Sequence, residues 1–364
     1  MGEVSIVGGS LAGLAAAQAL CKEATSKLTL YEKKKWFGDI ICGEAVSKWA
    51  LKWAQVSLPS RYLVRKLKGA VIHSPSYTAT LEHPKDLGFI IDRVKLEKDM
   101  AEQIIAEGVE VRTNEAPAKP PNSRWIIGAD GITGITRKWA GLPPLKLDDL
   151  HLGVQFLAAP LEDEDLIHLY FGSYAPTGYV WIFPDSRTDL AKVGLGVALS
   201  AKINPGHLLR AFVKKHKLKP KTKLRAKLIP TAQPLKKYVY GNIVLTGDAA
   251  QLTDPSTGGG IVTALMSGKI AGQEVAKNTP WNYNNKMLNT CVPRNTVRYQ
   301  IKKSLYSLSD TEFDQLVSSL SRMRVFENFA LSFINAIGLV LATHPKLLTK
   351  TKLLRRMLAS CINF

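Results

Sequence analysis

Three observations predict an α/β chain built around a dinucleotide-binding core. Three widely spaced apolar runs each end in a glycine turn, one strand-like segment carries aromatics at alternate positions, and the last quarter has a helical composition. At roughly 150 residues per domain, 364 residues suggest two or three domains. With 46% hydrophobic and 22% charged residues, the composition excludes a disordered or collagen-like chain. Cys21, Cys42, Cys291 and Cys361 show no C-x-x-C pairing. Neither a zinc site nor a secreted disulfide scaffold is indicated, and a reducing cytosol is the default.

The first element is Val4-Ser5-Ile6-Val7, followed by Gly8-Gly9-Ser10-Leu11-Ala12-Gly13 and an Ala-rich helix to Leu20. Strand, tight turn and helix in that order are the context a dinucleotide fingerprint requires. Gly8 makes the turn, Gly13 lets helix and strand approach, and the helix N-terminus with Ser10 and Ala12 faces a pyrophosphate. Ser10 replaces the middle glycine, which slightly compromises close backbone approach. The second strand, Leu28-Thr29-Leu30-Tyr31, ends at Glu32-Lys33. An acidic residue about 20 positions after the glycines binds adenosine ribose hydroxyls. At this point NAD and FAD both remain open.

The next two glycine turns lie far apart. Trp125-Ile126-Ile127 runs into Gly128-Ala129-Asp130-Gly131, with Arg137 beyond; Ile243-Val244-Leu245 runs into Gly247-Asp248-Ala249-Ala250, then Pro255, Gly258-Gly259-Gly260 and a helix from Ile261. The trio resembles the FAD-binding signature of p-hydroxybenzoate-hydroxylase-type flavoproteins, and Asp92-Arg93 resembles that family's D-R segment beside the cofactor. The resemblance implies a three-layer Rossmann-like FAD domain. Its cofactor-binding residues would be Gly8, Ser10, Ala12, Gly13, Glu32, Lys33, Cys42, Arg93, Asp130, Gly131, Gly247, Asp248, Pro255, Gly258, Gly259, Gly260 and Ile261. Gly134 stands where the family usually has Ser, a change expected to weaken one local hydrogen bond.

Pro176-Thr177-Gly178-Tyr179-Val180-Trp181-Ile182-Phe183-Pro184 places Tyr179, Trp181 and Phe183 on one face of a strand. Pattern alone favours an ordinary core filling. The stretch, however, closely resembles the Y-x-W-x-F-P motif of geranylgeranyl reductases, and Cys42-Gly43-Glu44 resembles their C-G-E segment. That resemblance implies a flavoenzyme saturating C=C bonds of isoprenoid chains on a membrane lipid, such as an archaeal ether phospholipid, or on a quinone. Tyr179, Trp181, Phe183 and Pro184 would line the substrate cavity, and Cys42, Gly43 and Glu44 would be catalytic. An aromatic-ring monooxygenase and a flavin-carrying electron-transfer or membrane-surface protein are the rival readings. No second Gly-rich fingerprint is visible, so the electron donor stays open between NAD(P)H, a ferredoxin and a quinol. No metal site is indicated.

Charge is the other unusual feature: 49 Lys and Arg against 30 Asp and Glu, a net +19. Lys214, Lys215, Lys217, Lys219, Lys221, Lys223, Arg225 and Lys227 fall within one short segment, read as extended with one basic face. Without a nucleic-acid module or interleaved aromatics, an anionic membrane surface is the expected partner. The apolar stretch at 329–343 is too short to span a bilayer. A cytoplasmic protein, peripheral on the membrane face and monomeric, is therefore expected. The predicted organisation is a discontinuous FAD domain at 1–60, 90–148 and 238–280, an antiparallel substrate sheet at 61–89 and 149–237, and a helical subdomain at 281–364. In the last, helices are expected at 305–320, 326–342 and, basic and amphipathic, 347–361.

Overall fold

The computed structural model describes residues 2–23, 27–161 and 163–325. The first apolar run forms β1 (Val4–Val7), the Ala-rich stretch α1 (Leu11–Glu23), and the second run β2 (Leu28–Glu32). The chain continues through β3 (Ala45–Ser47), α2 (Lys48–Trp53), β4 (Leu63–Leu67), β5 (Gly69–His73), β6 (Thr78–Glu82), β7 (Gly88–Ile91) and α3 (Arg93–Ala106). Next come β8 (Glu110–Thr113), β9 (Trp125–Gly128), α4 (Ile135–Trp139), β10 (Leu150–Ala159), β11 (Leu166–Tyr170), β12 (Tyr179–Pro184), β13 (Ala191–Ala198) and α5 (Pro205–Lys215). Last are β14 (Lys219–Pro220), β15 (Arg225–Pro230), β16 (Val239–Tyr240), β17 (Ile243–Leu245), α6 (Ile261–Ala276), α7 (Pro280–Leu305) and α8 (Asp310–Leu320).

The three runs that end in glycine turns lie in one six-stranded sheet, ordered β16-β17-β9-β1-β2-β8. All its pairings are parallel except that of β16 with β17. Parallel strands are buried on both faces, which is why these runs are continuously apolar rather than alternating. Ile6, Leu14, Ile126, Ile127 and Leu245 are fully buried, each contributing about 1.5–3 kcal/mol. Helices α1 and α6 touch at backbone distance: a Cβ on Gly268 would lie 2.1 Å from the Ala12 carbonyl oxygen. That approach seats the start of α1 against the middle of α6.

The larger sheet, β14-β10-β13-β12-β11-β5-β6 with β15 also on β10, is antiparallel apart from β11 with β5. One face, including Val154, Val193, Leu195 and Val197, is buried with Leu209, Phe212 and Val213 of α5. The opposite face carries Gly153 and Gln155 of β10, Tyr179, Trp181 and Phe183 of β12, and Lys192, Gly194 and Gly196 of β13. Of the segment 61–89, only β5 and β6 join this sheet; β4 and β7 pair with β3 in a small sheet ordered β3-β7-β4.

The helix expected over 305–320 starts later, as α8 at Asp310. α7 ends at Leu305, and Ser309 starts α8 with a capping box, its hydroxyl accepting from the Glu312 N–H and the Glu312 carboxylate accepting from the Ser309 N–H. The helices expected at 326–342 and 347–361 lie outside the described residues. No described helix is long and apolar enough to cross a membrane.

Candidate active site

One cleft of about 2270 Å³ is lined by residues of both large sheets. Its first end is polar. Gly8, Gly9, Ser10 and Ala12 line it at the start of α1, opposite Glu32 and the exposed Lys33. The Glu32 carboxylate accepts the Gly9 N–H at 2.6 Å and the Lys34 N–H at 2.8 Å, which fixes it at the turn with lone pairs left for ribose hydroxyls. Ser10, expected to hinder close approach, turns its side chain away: its hydroxyl donates to Glu97 at 2.7 Å and accepts from Arg93 at 2.8 Å. Arg93 also pairs with Glu97 at 2.8 Å. Burial works against the Arg93 charge, but Glu97 and the nearby Cys42 outweigh it and hold its pKa above the usual value.

The other two glycine turns meet the first around the cleft. Asp130, Gly131, Gly258, Gly259, Gly260 and Ile261 line it. Asp130 accepts from the Thr136 N–H at 3.0 Å and from the Thr136 hydroxyl. Burial raises its pKa against those bonds. A Cβ at Gly134 would lie 2.0 Å from the Asp130 carboxyl carbon, so this glycine makes room for Asp130 to fold onto Thr136. The expectation of merely one weakened hydrogen bond is corrected accordingly. Arg137, buried, donates to the Ala249 carbonyl at 2.8 Å and thereby joins the central turn to the distal one. Asp248 accepts from the Thr253 hydroxyl at 2.8 Å and lies 3.4 Å from Lys227. Burial pushes its carboxyl up, yet Lys227 and the Thr253 hydroxyl leave it below the usual range. Gly260, the residue before α6, gives that helix no side-chain cap, so its first N–H groups remain open to a ligand. A fixed carboxylate opposite a bare helix start, and a second uncapped helix start across the same cleft, fit a dinucleotide cofactor.

Four expected site residues are absent from the cleft wall. Gly13 and Gly247 act in packing: a Cβ at Gly13 would meet the Gly8 carbonyl oxygen at 1.8 Å, and one at Gly247 would meet Ala12 at 3.0 Å. Pro255 is buried, and Pro184 alternates with Phe183 onto the other side of β12, where it too is buried.

The second end of the cleft is walled by the larger sheet. Tyr179, Trp181 and Phe183 all line it, half-buried, while Val180 is fully buried beneath. Tyr179 and Trp181 meet edge to face with centroids 5.8 Å apart. The Trp181 indole lies over Gly194, where a Cβ would come within 2.2 Å of the ring. Its N–H donates to Gln155 at 3.1 Å, and the Gln155 amide reaches the Cys42 carbonyl at 3.4 Å. The Tyr179 hydroxyl donates to the Thr257 carbonyl, beside the glycines that open α6. Gly43 sits against the Phe183 ring, where a Cβ would come within 2.7 Å.

Cys42, half-buried, and Glu44, 1% exposed and in the left-handed region at φ 63°, stand where the two ends join. The Glu44 N–H donates to Cys42 Sγ at 3.3 Å. The Glu44 carboxylate accepts from the Arg93 N–H at 3.1 Å, the Ser186 hydroxyl at 2.8 Å and the Lys192 ammonium. Lys192, itself buried, also lies 3.1 Å from Asp185. Burial pulls its pKa down to about 8, with the neighbouring Cys42 acting the other way. Sequence reasoning missed Lys192, although it occupies the same face of β13 as Gly194 and Gly196. It also missed a cluster on the helical wall, where Trp49 and Trp53 of α2 face Arg294 and Arg298 of α7.

The model of the geranylgeranyl reductase catalytic domain matches residues 149–230. A digeranylgeranylglycerophospholipid reductase of Methanosphaera stadtmanae is 29% identical over 96% of this chain and 98% of its own length. Another, from Methanococcoides burtonii, is 28% identical over 95% and 94%. Over nearly its whole length the chain is similar to these reductases. Its fold is that of a geranylgeranyl bacteriochlorophyll reductase-like protein from Thermoplasma acidophilum, with a TM-score of 0.83, 24% identity and coverage of 96% and 98%. A mutant of the halogenase PltM in complex with FAD shares the fold more distantly, at a TM-score of 0.64, 15% identity and coverage of 94% and 83%. The stretch matched by the catalytic-domain model runs from β10 to β15 and so includes the aromatic wall and Lys192.

Proposed function

We propose that the chain holds FAD along the polar end of the cleft and saturates C=C bonds of geranylgeranyl-type chains on a lipid drawn into the aromatic end. The observation that carries this reading is the joining of the two ends at Cys42 and Glu44. When bound and reduced, FAD supplies the hydride. An isolated alkene accepts hydride poorly unless a proton arrives first or together with it, so positive charge develops on the more substituted carbon. Tyr179, Trp181 and Phe183 present π faces to that charge, each worth ~1–2 kcal/mol when desolvated. Cys42 Sγ, on the cleft wall, gives the proton. Lys192 Nζ, close enough to Cys42 to interact with it electrostatically, is the buried reservoir that restores it. Glu44 and Asp185 hold Lys192 in place. Aromatic walls exclude water from the developing charge.

Dithionite-reduced protein incubated anaerobically with geranylgeranyl lipids is expected to yield products heavier by two hydrogens per bond, read by mass spectrometry. Unchanged lipid masses would refute the reading. Glu32→Ala frees the Gly9 and Lys34 N–H groups and removes a charged acceptor. FAD affinity is expected to fall about 10–100-fold, measured by flavin fluorescence titration.

Membrane association is part of the same proposal. The basic segment does not present the single face expected from alternation. Arg225 and Lys227 turn onto Asp39 and Asp248 at the cleft. Lys217, Lys219, Lys221 and Lys223 are exposed and form no ion pair among the described residues. Each basic side chain near an anionic surface contributes about 1 kcal/mol. Binding to phosphatidylglycerol liposomes is expected to weaken as salt rises, and to weaken further when these four lysines become Gln; indifference to lipid charge would overturn it.

A further inference from the structure

We propose that Arg294 and Arg298 form a subsite for the phosphate ester head of an amphiphilic substrate. The proposal rests on the prenyl-reductase reading and adds the residues by which the cleft would select a phosphate-bearing head. The two residues sit one turn apart on α7, facing Trp49 and Trp53 of α2, and all four line the cleft. The Arg294 guanidinium lies 4.4 Å from the Trp53 ring centroid and 5.5 Å from that of Trp49; Arg298 lies 6.0 Å from Trp49. Contacts with indole faces fix a guanidinium plane while leaving its edges free for in-plane hydrogen bonds, the geometry that recognises phosphate.

The charges do not balance. Among the described residues, Asp254 is the one carboxylate within ion-pair distance of either guanidinium, 2.5 Å from Arg298 and 3.5 Å from Arg294. Its other oxygen already accepts from the Ser256 N–H and hydroxyl. Arg294 is 8% exposed, yet among the described residues its Nε has no hydrogen-bond partner and its NH1 reaches only Asn295, at 3.4 Å. A buried guanidinium with an idle donor is costly unless an anion completes it. Burial, followed by the like charge of Arg298, lowers the Arg294 pKa to about 10. The dinucleotide phosphates have their own place at the start of α1. Val297 and Ile301 continue the α7 wall of the cleft, giving an apolar run next to the cationic pair, as a lipid with a charged head requires.

The test is calorimetric binding to oxidised, FAD-loaded full-length protein in detergent. The probes are a saturated dialkylglycerol phosphate, the same dialkylglycerol without phosphate, and inorganic phosphate alone. The phosphorylated lipid is expected to bind about 10–100-fold more tightly than the alcohol, as charge-assisted hydrogen bonds imply. Arg298→Gln and Arg294→Gln should remove that preference without lowering flavin content, while Arg298→Lys should keep part of it. If both variants fail to fold, the wild-type preference and its loss with rising salt still decide. Equal binding of phosphate lipid and alcohol would overturn the subsite, whether or not alkene reduction is found. Inorganic phosphate binding as tightly as the lipid would assign the pair to a free anion and overturn it as well. Failure of the mass assay with a retained phosphate preference would refute the reductase reading alone.

Discussion

Lys192→Met is expected to destabilise the protein by about 3–5 kcal/mol and to abolish sustained alkene reduction, because it leaves two buried carboxylates without their shared cation. Glu44 and Asp185 are each 1% exposed, and Lys192 links them. Denaturant unfolding of the FAD-loaded protein measures the first effect and anaerobic turnover the second. The two are separable. In the double variant Lys192→Met/Glu44→Gln, one of the stranded charges is gone, so part of the stability should return. Turnover should not return, since the reservoir is still missing. A Lys192→Met protein that turns over normally would remove Lys192 from the proton path.

The pH dependence follows from the same residue, with opposite signs for activity and stability. A proton donor held at about 8 is loaded below that value, so turnover should decline as pH rises through 8. The unfolded chain keeps its lysine protons to about 10.4, so between about 8 and 10.4 it binds more protons than the folded chain. The contribution of Lys192 to stability therefore rises with pH across that window. Lys302, also drawn down to about 8 by burial against the opposing pull of Asp149, adds to stability in the same direction. Activity lost in parallel with stability would point to unfolding instead of titration.

How much of this was legible in the sequence depends on the range of the interactions. The β1–turn–α1 unit and Glu32 are local: strand, glycine and helix lie within about 30 residues, so periodicity and spacing sufficed. Alternation along β12 placed Tyr179, Trp181 and Phe183 on one face, though it took a resemblance to prefer a cavity over a core. The same alternation, applied to Pro184, would have excluded it from that wall. Lys192 escaped because β13 is buried along its whole length, and a lysine in a glycine-rich strand resembles an edge position until Glu44 and Asp185 are brought beside it. Arg294 and Arg298 gain their meaning from docking of α7 on α2, about two thirds of the chain away in sequence, which no local pattern encodes. The break between α7 and α8 is a different case. Ser309 and Glu312 stand at capping-box spacing in the sequence, and the apolar periodicity on either side obscured them.

Trp181→Ala is expected to lower alkene turnover about 10–100-fold with flavin content unchanged, combining the loss of a π face worth about 2 kcal/mol with entry of water into the aromatic end. The indole is held by three constraints: Gly194 beneath it, Tyr179 at its edge, and the Gln155 carbonyl on its N–H. None belongs to the polar end, which is why flavin binding and turnover should part company. Gly194→Val reaches the same deficiency from below, since a Cβ there would lie 2.2 Å from the ring and the indole must move off the floor. Its overpacking should cost about 1–3 kcal/mol. Adding Trp181→Ala to Gly194→Val removes the clash, so thermal stability should recover toward wild type while turnover stays low. That divergence separates a ring that orients substrate from one that only fills space. Wild-type turnover by the Trp181→Ala protein, at full flavin occupancy, would return the aromatic strand to the status of ordinary core.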